Sequence, residues 1–572
     1  MKIKHLFGLA VIAAMTASCS SNEDLGTAGP GTGTNEAGVG YATFSINLPT
    51  TSGTRAGDPT FDKGDDDEYK VNDATLLIFK QGKATKEGDY TFVESAELGS
   101  MAPWKDPSEI GVTTHAKITA KLEQVDKTDG YYALVLLNNG TGKNVKVTLP
   151  EKNAKFSDWN VDTNKDKEAT NKIANYDNGF YMANAPLFKD NNVTTLVAID
   201  KDKIYPTEEQ AAKSAATDVY VERGLAKVSL GTGTTTAKPV TSVTYQGDEV
   251  TISKWALDVT NKKAYPIHNV DGLTTEFPTI WSNDATTAST TNKATTQRFV
   301  DNNDKTSVKR VYWGKDPNYD NKDNDKTALN AEFNYVANAN VKEDPAKPLY
   351  CLENTFNLDN MKQGQTTRVV FKATYKPASI AKGATFYKIG KNTAIWSEAD
   401  LEKEIKAAVA SVVSGAAGKT TVTLNAPNNN ITAAGTHYIT ADNITVTDVE
   451  AETIEKAITA INTQLGLKES EKVGISTYEG GESYYIARIK HFGDALTNWK
   501  SGTYGENNLE YLGRYGVLRN NWYVLTVQSV SGPGYPSVPE VKPNTPDDED
   551  DNYINVSVKI LDWAKRSQDV NL

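Results

Sequence analysis

The chain has 572 residues, 38% hydrophobic and 23% charged, which is ample to bury two cores and too polar for a bundle of membrane helices. A net charge of −12 with no Lys/Arg-rich stripe lacks the electrostatic footprint of nucleic-acid binding. Two cysteines, Cys19 and Cys351, exclude a disulfide framework and a cysteine-based zinc site, so rigidity must come from packing.

At the amino terminus Lys2 and Lys4 precede an apolar stretch from Leu6 to Ala17. It is too short to span a bilayer and suits the core of a signal peptide over residues 1–18. It ends in Thr16-Ala17-Ser18-Cys19, small residues before a cysteine, which resembles a bacterial lipobox. Cys19 is therefore expected to be acylated, the alternative being an ordinary cleavage site beside a bystander cysteine. The polar Ser20 to Asp24 and the Gly/Thr-rich run to Gly40 read as a flexible tether.

Next, Ala42, Phe44, Ile46 and Leu48 alternate with polar residues at strand period, so one face of Tyr41 to Leu48 should be buried. Pro49 ends that strand. A Gly/Thr/Ser loop follows to Asp58, in which Arg55 is the sole charge before Asp58 and should be exposed. Strand patterns at Ala74 to Phe79, Tyr131 to Leu137 and Val219 to Leu230 suggest a first β-domain over 56–232. A second domain over 233–531 is suggested by strands near Val250 to Val259, Arg368 to Tyr375, Tyr484 to Lys490 and Trp522 to Val527.

Two helices should interrupt this second region. One, about Glu398 to Ser414, carries Leu401, Ile405, Ala408 and Val412 on one stripe, with Ser397 as N-cap and Gly415 as stop. The other, about Glu452 to Leu465, repeats the pattern with Ile454, Ile458, Ile461 and Leu465, ended by Gly466. Both stripes read as core packing.

From Gly532 to Asp551 the chain is Pro-rich and ends in five consecutive acidic residues, so it should be an extended linker that packs into no core. Beyond it, Ile554, Val556, Val558 and Ile560 alternate at strand period. A lone strand on a linker cannot satisfy its backbone or bury its apolar face without an open sheet edge. The Ala42 to Leu48 strand has a similar pattern and length. The expectation is that a protease cuts between Arg55 and Ala56, the first strand departs, and the terminal strand of a neighbouring copy fills the vacated groove. Nine residues of strand reach roughly 30 Å, and each buried aliphatic side chain contributes roughly 1.5–3 kcal/mol, which would make a durable joint. The alternative is that the terminal strand completes its own subunit's sheet.

Several segments resemble the fimbrillin family of type V pili, and most of all the major (shaft) subunit of minor fimbriae. They are Tyr220-Val221-Glu222-Arg223-Gly224-Leu225-Ala226-Lys227-Val228, Trp255-Ala256-Leu257-Asp258, Tyr312 to Tyr319, Tyr350 to Phe356, Ile489 to Asp494, Tyr511 to Asn521 and Val556 to Trp563. The resemblance implies a mainly β fold with two transthyretin-like β-sandwich domains, a few helices in the second, and a donor strand after the linker. It implies an outer-membrane lipoprotein precursor, maturation by an arginine-specific or trypsin-like protease at the position of Arg55, and export into an extracellular fimbrium that supports adhesion. Its partners would be other copies of itself together with anchor and tip subunits. The lipobox departs from the usual pattern, with Thr16 where Leu is commoner.

An enzyme would need a nucleophile or acid–base set, and no Gly-x-Ser-x-Gly, His-Glu-x-x-His, phosphate loop or dinucleotide fingerprint is present. Gly474-Ile475-Ser476-Thr477-Tyr478 fails at its last position. The histidines His5, His115, His268, His437 and His491 are scattered and read as surface or packing residues. Asp316 to Asp325 lacks the spacing of a calcium loop and reads as solvated, so no metal or cofactor is expected. Cys351 should be buried and inert. A surface glycan-binding lipoprotein, or a fimbrial anchor or tip subunit that keeps its first strand, are the competing readings.

Overall fold

The computed structural model describes residues 33–47, 65–99, 115–125, 128–161, 172–189, 192–273, 309–311, 313–319, 326–355, 358–491, 511–547 and 554–562. The protein is mainly β, as the patterning indicates. Strand Ala74–Lys80 reads ATLLIFK and strand Tyr131–Leu137 reads YYALVLL, and both are buried almost throughout. Such continuous apolar runs belong in the middle of a sheet covered on both faces. They pair with each other antiparallel in an eight-stranded sheet ordered 91–97, 74–80, 131–137, 182–184, 217–223, 40–47, 115–122, with 197–199 also against 131–137.

The segment expected as one strand from Val219 to Leu230 is two, Thr217–Arg223 and Leu225–Leu230, in different sheets. The switch is at Gly224, where a Cβ would lie 2.8 Å from Ile173 Cγ2 and 3.1 Å from Tyr181 Cδ1, so only glycine lets the chain turn between the sheets. Leu225 packs in the first core and Ala226 in the second.

Two four-stranded sheets face each other across that second core. One is ordered 349–352, 225–230, 521–530, 554–562, and the other 238–239, 249–258, 368–376, 482–488. Their inner faces supply Val228, Tyr523, Leu525 and Val527 from the first, and Trp255, Val369, Phe371, Tyr375 and Tyr485 from the second, which makes a β-sandwich. A third core is built around helices Glu398–Val412 and Ala451–Gln464. Ser397 caps the first helix as expected, its hydroxyl accepting from the Asp400 amide. Leu401, Ile405, Ala408, Ile454 and Ile461 are buried, and Val412, Ile458 and Leu465 pack beside them.

Candidate strand-exchange site

Strand Gly40–Asn47 is held on both sides. It pairs parallel with 217–223 (Phe44 with Thr217, Ile46 with Val219) and antiparallel with 115–122 (Ala42 with Ala120, Phe44 with Ile118, Ile46 with Ala116). Ala42, Phe44 and Ile46 are fully buried in the first core. The opposite face is covered as well, because Thr43 Oγ1 donates to the Ala211 carbonyl at 2.8 Å and lies 2.8 Å from Thr119 Oγ1. Tyr41 exchanges backbone hydrogen bonds with Tyr205 at 2.7 and 2.8 Å. Leu48, Arg55, Ala56 and Cys19 lie outside the described residues.

The chain resumes at Asp65 and is fixed almost at once. Buried Glu68 forms an ion pair with buried Lys227 at 2.7 Å and accepts from the Tyr350 hydroxyl, and its carbonyl accepts from Arg223 Nε at 2.8 Å. Lys227 Nζ also sits 3.8 Å over the Trp522 ring. Burial lowers the Arg223 guanidinium to about 10. Thus the backbone from Asp65 onward is tied to the 225–230 strand and, through Trp522, to the neighbouring 521–530 strand. Charges at Glu222, Arg223 and Lys227 inside an otherwise apolar strand pattern are the sequence signal that could have exposed this anchor.

The terminal strand Ile554–Asp562 has one neighbour, Asn521–Val530, at the edge of its sheet. The pairing is antiparallel, with Ile554 opposite Val530, Val556 opposite Val527, Val558 opposite Leu525 and Ile560 opposite Tyr523, and with an irregularity between Val527 and Ser529. Here the strand adds to its own chain's sheet.

The Pro-rich segment is no free linker. Through Asp547 it lies along the outer face of the 249–258/368–376/482–488 sheet, where Tyr535 and Val538 cover Ala256, Val370, Tyr484 and Ile486. The carbonyls of Gly532, Gly534 and Pro539 accept from Tyr485, Tyr478 and Arg368 at 2.9, 2.9 and 2.8 Å. Composition predicted a solvated tether because prolines supply no amide donors, but the carbonyls and scattered apolar residues suffice to dock it.

Most of the family-like segments converge on one buried polar junction. His268 Nδ1 lies 2.9 Å from Glu222 and its Nε2 lies 3.6 Å from Glu353, which in turn pairs with Arg519 at 3.3 Å. Asp316, expected in a solvated loop, is instead enclosed. It accepts from the amides of Asn318 and Thr355 and from the Asn261 side chain, and burial raises it to about 7. This network welds strands and loops together, and its acids and bases serve as structural partners of one another. Cys351 is buried, and burial pushes its thiol up to about 12, as an inert residue requires.

Residues 476–569 match the model of the family described as "Major fimbrial subunit protein type IV, Fimbrillin, C-terminal". The carboxyl-terminal region of the chain belongs to the fimbrillin family. The match spans the Ile489 to Asp494, Tyr511 to Asn521 and Val556 to Trp563 segments, the terminal strand included. The family's description names a fimbrial subunit, so over this region the chain resembles a structural component of a fimbria and not an enzyme. No curated protein matches the chain. Among solved structures, a candidate cell adhesion protein from Parabacteroides distasonis aligns at 10% identity over 92% of this chain and 98% of its own, with TM-score 0.38. A fimbrial assembly protein from the same organism aligns at 10% identity over 40% and 66%, with TM-score 0.20. At those scores neither carries an argument.

Proposed function

We propose that this fimbrillin is the shaft subunit of a surface fimbria. It is exported as a lipoprotein through Cys19, cut between Arg55 and Ala56, and polymerised when the terminal strand of one copy enters the slot left by residues 40–48 of the next. The observation that carries this reading is the position of the first strand. It sits one place in from the edge of its sheet with hydrogen-bonded neighbours on both sides, and it lies just upstream of a lone arginine. Its removal opens a slot lined by two unpaired backbones and the space left by Ala42, Phe44 and Ile46, which no stable fold leaves empty. The terminal strand offers four β-branched residues at the same spacing and has a hydrogen-bonded neighbour on one side only. Glu68 and Lys227 hold the new amino end in place once the strand is gone. Adhesion, anchor and tip partners, and the outer-membrane stage of the precursor belong to the same reading.

A second reading has its own support. The terminal strand is paired with its own chain, which is what a subunit that never exchanges would show, such as an anchor or a surface glycan-binding lipoprotein. Full-length precursor treated with an arginine-specific protease separates the two. A new terminus at Ala56 with a ladder of heat-sensitive oligomers on unheated gels supports the shaft reading. A chain that resists cutting and stays monomeric supports the second.

A further inference from the structure

The acidic run begins at Asp547, where composition calls for full solvation, yet Asp547 is fully buried. Its Oδ2 accepts from Thr366 Oγ1 at 2.9 Å and its amide donates to the Met361 carbonyl at 3.2 Å. Tyr515, whose ring carries buried Arg514 at 5.4 Å, lies within electrostatic reach of both Asp547 and half-buried Arg488. Next to it the Gln363 amide donates to the Thr545 carbonyl at 2.9 Å, and Lys362 faces Pro546 in an antiparallel bridge. Upstream, Arg368 pairs with Asp258 at 2.7 Å while also holding the Pro539 carbonyl. A carboxylate taken out of water is retained only where partners compensate it, and freeing this segment would expose or strand several of them.

We propose that Asp547 is a fixed pivot. Residues 532–547 remain part of the subunit's own second sandwich in the assembled fibre, and only the chain beyond Asp547 crosses to the neighbour. Asp547 and Arg368 are then positioning residues for the donated strand. Seven Cα steps (554 − 547) separate Asp547 from Ile554, so the crossing can span at most roughly 25 Å. Neighbouring subunits are therefore closely abutted, with the slot of one set near the pinned end of the other. A free linker from Gly532 would allow more than twice that span and a loosely jointed filament. This inference rests on the strand-donation reading above.

A covalent tie tests it. Lys362 and Pro546 form a bridge flanked by hydrogen bonds, the pair type whose Cα atoms lie about 4.5 Å apart, within disulfide range. In the Lys362→Cys/Pro546→Cys variant of the full chain, buried Cys351 stays out of the pairing. The expected result is the same oligomer ladder from oxidised and reduced protein after arginine-specific cleavage. Assembly of the reduced form alone overturns the pivot. Hydrogen exchange on the unmodified protein covers the case where the cysteines themselves disturb folding. The Tyr535 and Asp547 amides should keep equal protection in monomer and polymer, and their loss of protection on assembly also overturns it. Failure of the underlying reading looks different, because Val556→Asp would then assemble as well as the parent chain.

Discussion

The sheet carrying the amino-terminal strand and the sheet carrying the terminal strand are built on one plan. In the first, 217–223 pairs antiparallel with 182–184 and parallel with 40–47, which pairs antiparallel with the edge strand 115–122. In the second, 225–230 pairs antiparallel with 349–352 and parallel with 521–530, which pairs antiparallel with the edge strand 554–562. The two strands of interest occupy different places in this common order. The amino-terminal strand is internal, so its departure leaves a slot with two walls, whereas the terminal strand is at the edge, so its departure leaves an edge. The proposed exchange between copies would therefore be directional, with one strand suited to donation and one slot suited to receiving.

The sharpest break in that comparison is Val556→Asp. A charge at the centre of the donated strand should abolish the oligomer ladder, since the two-walled slot cannot solvate it. In its own sheet position 556 lies opposite buried Val527, so the same charge should also destabilise the monomer, and the ladder is scored on protein that is folded before cleavage. Unheated gels and thermal unfolding of the monomer read the two effects separately, and normal fibres from this variant would sink strand donation.

Phe44→Ala probes the other strand. A fully buried ring in the first core should cost the precursor about 3–5 kcal/mol. After cleavage at Arg55 and loss of the strand, variant and parent become the same chain and the difference vanishes. Urea unfolding before and after protease treatment measures this, and a difference that survives would mean the strand stays bound.

Much of this contrast was legible in the sequence. Alternation at Ala42, Phe44 and Ile46 and again from Ile554 to Ile560 located both strands, and the stripes and Ser397 located both long helices, because each depends on local periodicity. What local pattern could not show is where a chain changes sheets. Gly224 is demanded by the approach of Ile173 and Tyr181, which are distant in sequence. The same holds for buried charge. Glu68, Asp316 and Asp547 look like surface residues until the partners that compensate them are brought in from far along the chain. The Pro-rich segment was misjudged for that reason, since composition records its missing amides and not the tyrosines that bind its carbonyls.

Asp316 tests whether the junction between the two sheets responds to pH. Burial raises its carboxyl from 3.8 to about 7, so between these values the native state holds a proton that the unfolded chain has released. The stability this group contributes is fully present below pH 4 and is lost as pH rises through about 7. Asp316→Asn, which stays neutral, should therefore gain on the parent chain by roughly 2 kcal/mol between pH 5 and pH 8. Urea midpoints at the two pH values decide it, and a constant gap would show that the carboxyl is charged throughout.

The smallest effect serves as the control on all of these. Ser397 caps helix 398–412, which packs in the third core, and among the described residues neither strand contributes to that core. Its hydroxyl accepts from the Asp400 amide at 3.3 Å and donates to the Asp400 carboxylate at 2.7 Å. Ser397→Ala leaves that amide to water and should cost about 1 kcal/mol. The loss falls on the helical core, which contributes no residue to the slot or to the terminal strand's edge. The ladder should be unchanged while the unfolding midpoint drops. If instead assembly weakens in proportion to stability, the effect of Val556→Asp would no longer point to the terminal strand, because any small destabilisation would do the same.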